Sequence, residues 1–264
     1  WPAAGPAALA LLPGRTGPMR GRMSWAPAFL SNPERFMAFS RWAAPLLGAI
    51  ALALAVWGLW LGFNVPDDYQ QGQTVRIMFI HVPAAWICMF IYLCLAVASF
   101  LSLIFRHALA DAAAQAAAPL GAAFTFLALV TGALWGRPMW GAYWVWDARL
   151  TSVLVLFLLY VAYIALRASL DDEAKASRAA AILALVGAIN LPIIHYSVEW
   201  WNTLHQGASV FRADGPTLAP VFLWPLLIMA GAYFASFGAL WLVRIRGEVW
   251  RRRAEAAALR AARA

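Results

Sequence analysis

Two groups of side chains in this 264-residue chain are gathered closely enough to do chemistry. The run WGRPMWGAYWVWDARL, residues 135–150, holds Trp135, Trp140, Trp144 and Trp146 together with Gly141, Tyr143, Asp147, Arg137 and Arg149. Three of the four histidines, His81, His195 and His205, fall at or beyond the ends of apolar runs on the same side of the membrane as this stretch, with Arg76 nearby in sequence. Indoles supply broad, flat contact area and offset stacking. Arginines make charge-assisted bonds to carboxylates, and neutral imidazoles ligate metals. If 140–147 is helical, Trp140, Tyr143, Trp144 and Asp147 follow i, i+3, i+4, i+7 and share a face, while Trp146 points elsewhere. Such a shelf suits a large planar ring with anionic edges.

An ordinary belt of interfacial indoles is the plain alternative. A belt scatters its aromatics, whereas these cluster between two apolar runs beside an acid and two arginines. Haem fits the shelf, with a flat macrocycle, two propionates and an iron that takes axial imidazoles. A quinone fits the aromatic part and has no use for the arginines. His81, in RIMFIHVPAAW, and His205, in EWWNTLHQG, lie on different elements and could approach one ring from opposite faces. His195, in NLPIIHYS, shares their side, and spacing does not choose between it and His205. Asp147 is expected to pair with Arg149 or Arg137, or to cap the next helix, since a carboxylate at this depth needs a partner. Cys88 and Cys94 form neither a CxxC pair nor a haem-attachment motif. No GxxxxGK[ST] loop is present, so ATP hydrolysis by that route is excluded.

These groups need elements to hold them, and composition says which. The chain is 64% hydrophobic and 12% charged, with a mean hydropathy of +0.70. Soluble domains carry about a quarter charged residues, so this is a polytopic membrane protein. Six apolar runs, about 42–63, 79–105, 119–135, 150–168, 178–198 and 219–243, predict six transmembrane helices and an all-α fold. Of the 20 Lys and Arg, only Arg76, Arg137, Arg149 and Arg212 fall in the segments 64–78, 136–149 and 199–218. The positive-inside rule then puts both termini in the cytoplasm and those three segments outside. The net charge of +8 is explained by orientation and does not imply nucleic acid. Residues 1–41 are read as a disordered or cytoplasmic segment, with 1–22 a leader or upstream extension. Residues 42–243 form the transmembrane domain, with 136–149 as an outer loop. Residues 244–264 form a basic, Ala-rich tail, expected to be helical and to anchor on the lipid of the inner leaflet.

Three stretches resemble one family. WGRPMWGAYWVWDARLTS is similar to the WWD motif of haem-handling proteins. DYQQG with IHVPAAW, and NLPIIHYSVEWWNTLHQG, are similar to the other signatures of haem exporter protein C, the CcmC family of cytochrome c maturation. The likeness covers about 42–210. It implies haem b bound by His81 and His205 as axial ligands, with His195 as the fallback. It implies Trp135, Trp140, Gly141, Trp144, Trp146, Asp147, Arg149 and Arg76 around the ring. It implies a bacterial inner-membrane location with the WWD loop in the periplasm. It also implies partners: an ABC-type ATPase subunit, a second membrane subunit, a small single-span subunit and the periplasmic haem chaperone CcmE. The expected role is binding and delivery of haem without enzymatic activity. A haem lyase acting directly on apocytochrome and a quinone-binding anchor subunit are the rival readings.

Overall fold

The computed structural model describes residues 32–262; the expected leader at 1–22 lies outside them. Seven helices follow in order: α1 (Pro33–Phe63), α2 (Met78–Phe105), α3 (Ala108–Trp140), α4 (Ala148–Ser169), α5 (Glu173–Gly187), α6 (Asn190–Trp200) and α7 (Pro220–Ala261). A short 3-10 turn, Gln73–Ile77, leads into α2. α5 and α6 together make one span, so six segments are long and apolar enough to cross a bilayer. Among the described residues there is no strand beyond an isolated bridge between Asp68 and Gly72. The all-α, six-span expectation holds, for the reason that lipid offers the backbone no partners outside a helix. The two described ends of the chain meet: Arg253 of α7 bonds Glu34 of α1 at 2.7 Å.

The helices outrun the expected spans, and the domain limits at 42 and 244 fall inside them. α1 begins at Pro33, where Asn32 Oδ1 accepts the Glu34 amide at 2.9 Å and proline occupies the first turn. α3 begins at Ala108, capped by His107, whose Nδ1 accepts from Ala110 N at 3.1 Å. Residues 108–118 are mostly alanine. That makes them strong helix formers without looking like a span. α7 has 42 residues, about 63 Å at 1.5 Å per residue and roughly twice the hydrocarbon thickness. The basic tail is thus the end of a continuous rod. It packs Ile245 and Val249 against Leu109, Ala112 and Ala116 of α3.

The core is centred on α2. Ile87, Cys88, Ile91, Tyr92 and Leu95 are fully buried against Ala114, Ala117 and Ala118 of α3, Leu156 and Tyr160 of α4, and Ala180 and Ala184 of α5. Small residues let these helices approach closely, which is how spans associate where water supplies no drive. At Gly121 an added Cβ would run into the Tyr160 ring, whose hydroxyl donates to Cys88 O at 2.7 Å. The break between α5 and α6 precedes Pro192, which has no N–H for the Ala188 carbonyl. There Asn190 Nδ2 donates to Ser152 O at 2.9 Å and fixes α6 to α4.

Candidate functional site

The site is built on the last four turns of α3. Ala128, Thr131, Gly132 and Trp135 are spaced to share one helix face. His81, in the first turn of α2, lies on that face. Its Nδ1 is 3.0 Å from Ala128 O and 3.2 Å from Thr131 Oγ1. Its ring meets Trp135 edge-on, with centroids 5.6 Å apart at 70°. The Trp135 indole donates to Gln71 Oε1 at 3.0 Å, which ties the DYQQG turn to the same wall. Farther along, Trp140 meets His205 edge-on at 5.0 Å and 67°. The end of one helix therefore contacts both histidines.

The helical shelf over 140–147 does not form. α3 stops at Gly141, which has φ +76° and sends its N–H to Arg137 O at 3.0 Å. Only glycine adopts that left-handed turn without cost, so the pattern of apolar spacing is cut by one residue. Trp140 ends the helix, while Tyr143, Trp144 and Trp146 follow on non-helical chain. Trp144 and Trp146 pack edge-on at 5.5 Å. Trp146 is 75% exposed, whereas the Trp144 Nε1 is buried with no hydrogen-bond partner.

Asp147 caps α4, accepting the Leu150 amide on Oδ1 at 2.7 Å. Its other oxygen accepts from Leu204 N at 3.2 Å and lies 3.5 Å from His205 Nδ1. The capping alternative is therefore the observed one, and the same carboxylate also holds the segment that carries His205. Arg149 turns to α6, donating to Ser197 Oγ at 3.1 Å, His195 O at 3.2 Å and Ile194 O at 3.3 Å. Arg76 bonds Asp67 Oδ1 at 3.2 Å and Val65 O at 3.5 Å. Both arginines brace the loops and helices around the wall. His195 is exposed and packs on Tyr196, in a row that continues to Trp200 and Trp201, apart from Trp135 and Trp140. The structure thus brings His205, and not His195, to the end of α3.

Burial is the largest influence on His205 and holds its proton affinity below the ordinary histidine value; Asp147 pulls the other way. The neutral imidazole is the form that ligates metals. Among the described residues no three His, Cys, Asp or Glu side chains gather around a bare ion. Two imidazoles instead suit an iron whose other four positions a macrocycle fills. The Trp144 Nε1 is buried without a hydrogen-bond partner, while His205 Nδ1 faces the Asp147 carboxylate at 3.5 Å. Sequence reasoning passed over Thr131 and Gly132, and took Gln71 only as part of the DYQQG stretch. The available signal was the spacing of 128, 131 and 132 from Trp135 on one face.

The Heme exporter protein C family model matches residues 27–260. A relative named Heme exporter protein C from Bradyrhizobium diazoefficiens is 58% identical over 224 residues, covering 85% of this chain and 85% of its own. The Escherichia coli K12 protein of the same name is 49% identical over 219 residues, covering 82% and 88%. A Marchantia polymorpha protein, described as a putative cytochrome c biosynthesis ccmC-like mitochondrial protein, is 40% identical over 224 residues, covering 82% and 92%.

Proposed function

Because this chain belongs to the Heme exporter protein C family, we propose that it binds haem b at a membrane surface and presents it for covalent loading onto the haem chaperone CcmE, in the maturation of c-type cytochromes. Haem is cargo here. The chain's part is to hold the ring and hand it over. His81 and His205 supply the axial imidazoles. Trp135, Trp140, Trp144 and Trp146 supply the aromatic wall, and Gly141 turns the chain between them. Asp147 fixes the His205 segment through the Leu204 amide. Arg149 and Arg76 brace α6 and the α1–α2 connection. In this reading the site faces the periplasm of a bacterial inner membrane and both termini are cytoplasmic. An ABC-type ATPase subunit, a second membrane subunit and a small single-span subunit complete the complex and drive release of the loaded chaperone.

The observation that carries this reading is the seating of two histidines from distant elements against two tryptophans of one helix end. Delivery is favoured over direct lyase action because the connections on this side, 64–77, 141–147 and 201–219, are short and leave little surface to grip a substrate chain. The test is absorption of the purified chain with added haemin. A sharp Soret band, lost in His81→Ala and in His205→Ala but kept in His195→Ala, is expected. A colourless protein that fails to take up haemin overturns the proposal.

A further inference from the structure

We propose that Thr131 and Gly132 are positioning residues that preset His81 as the Nδ1–H imidazole, leaving Nε2 free to bind iron; the iron, though not the tautomer, rests on the haem reading above. His81 Nδ1 faces two oxygen atoms, Ala128 O at 3.0 Å and Thr131 Oγ1 at 3.2 Å. The first is a carbonyl and can only accept. The second commits its own proton to Leu127 O at 2.7 Å, the usual back-bond of a helical threonine. It therefore shows His81 a lone pair. With acceptors on both sides, Nδ1 must carry the proton. Nε2 has no hydrogen-bond partner among the described residues. In water a histidine side chain favours the opposite tautomer, so this arrangement is imposed by α3.

Gly132 makes the arrangement possible. A Cβ there would lie 2.8 Å from His81 Cε1 and 3.3 Å from Nδ1. The imidazole thus occupies the volume of a missing side chain, and any larger residue pushes it off both acceptors. Trp135, one turn on, closes the far edge of the ring. Ala128, Thr131, Gly132 and Trp135 form a four-residue cradle on one helix face. A hydrogen bond from Nδ1–H to oxygen fixes ring orientation and makes Nε2 a stronger electron donor, and losing such a partner typically weakens metal binding by about 10–100-fold.

The experiment uses the full chain in detergent with 15N-labelled histidine, first without haem. The His81 signals, assigned by their loss in His81→Ala, are expected to show protonated Nδ1 and bare Nε2. Gly132→Ala is expected to shift His81 to the Nε2–H form. Thr131→Val, which keeps shape and removes one acceptor, is expected to give a measurable Nε2–H fraction. After haemin is added, Thr131→Val should bind it roughly tenfold more weakly. Its reduction midpoint should be more positive, because the weaker donor stabilises ferric iron less, and Thr131→Ser should restore both. An Nε2–H tautomer in the unmodified chain, or a Thr131→Val protein with unchanged tautomer and midpoint, overturns the proposal. A chain that shows the tautomer and its dependence on residues 131 and 132 but takes up no haemin supports the cradle and overturns the haem reading instead.

Discussion

At its Ala108 end, α3 carries Asp111, only 4% exposed, which accepts hydrogen bonds from Arg167 of α4, Ser177 of α5 and Arg252 of α7. Gln115, one turn on, accepts from both arginines. Arg252 is fully buried and also bonds Glu248 at 2.6 Å. At the Trp140 end the pattern is reversed. Trp144 Nε1 and Arg76 Nε are buried without hydrogen-bond partners, and Trp146 and Phe211 are largely exposed. Burying an unpaired polar group costs free energy; at the Ala108 end the orphan is Glu173 Oε1, which still lies 3.5 Å from Arg251 and Arg252. The closed end therefore reads as structure, a clasp that joins four helices. The open end keeps binding capacity that the chain does not use on itself.

Four measurements break or sharpen this contrast. Removing both His81 and His205 imidazoles should abolish the Soret band, a loss greater than the about 10–100-fold typical of the partners that orient metal ligands. Arg252→Met should do the opposite. It leaves Asp111 buried with one fewer cation and should cost about 3–5 kcal/mol of stability, read by thermal melting in detergent, with the haem spectrum kept. Equal loss of haem in that variant would erase the distinction between the ends. Gly141→Ala should cost about 1–2 kcal/mol for its left-handed backbone, since nothing lies within 4 Å of the new Cβ. Its melting temperature should fall accordingly.

The smallest effect is a pH shift. His205 resists protonation because it is buried. Below the ordinary histidine value of 6.5, the unfolded chain takes a proton that the folded one refuses. The stabilisation from this group is thus complete above that value and falls as the pH drops through it. Displacement of iron by protonation of His205 should likewise need a pH below 6.5. Trp140→Ala, which admits water to the ring, should move the midpoint of acid haem loss upward. Asp147→Asn, which removes the charge favouring the imidazolium, should move it downward. A Soret titration against pH reads both, and shifts in the same direction would refute this account.

Span number and helical class were legible because the bilayer forces them: a run must be about 20 apolar residues and helical to cross. Helix ends were not. Ala108–Ala118 has high helix propensity and modest hydropathy, so hydropathy started α3 too late. The shared face of Trp140, Tyr143, Trp144 and Asp147 assumed a helix that one left-handed glycine stops. Spacing did not choose between His205 and His195; the resemblance named His205, and the fold adds its contact with Trp140. The Asp111–Arg252 pair spans 141 positions, and no local pattern announces a partner that far away. Thr131 was hidden differently: inside an apolar run a lone threonine looks like any other span residue, and its meaning comes from the ring laid across it.

His205 sits in the connection 201–219, which has no regular helix. Near it the backbone is held by the Asp147 bond to Leu204 and by the Thr203 side chain, whose Oγ1 accepts from His205 N at 3.3 Å. Fixing a residue of such a chain costs roughly 1–2 kcal/mol of conformational entropy, whereas His81 is already immobilised in the first turn of a helix. On the proposed reading, the two imidazoles would be held with unequal firmness: His81 by the first turn of a helix, His205 by two side-chain bonds to an irregular segment.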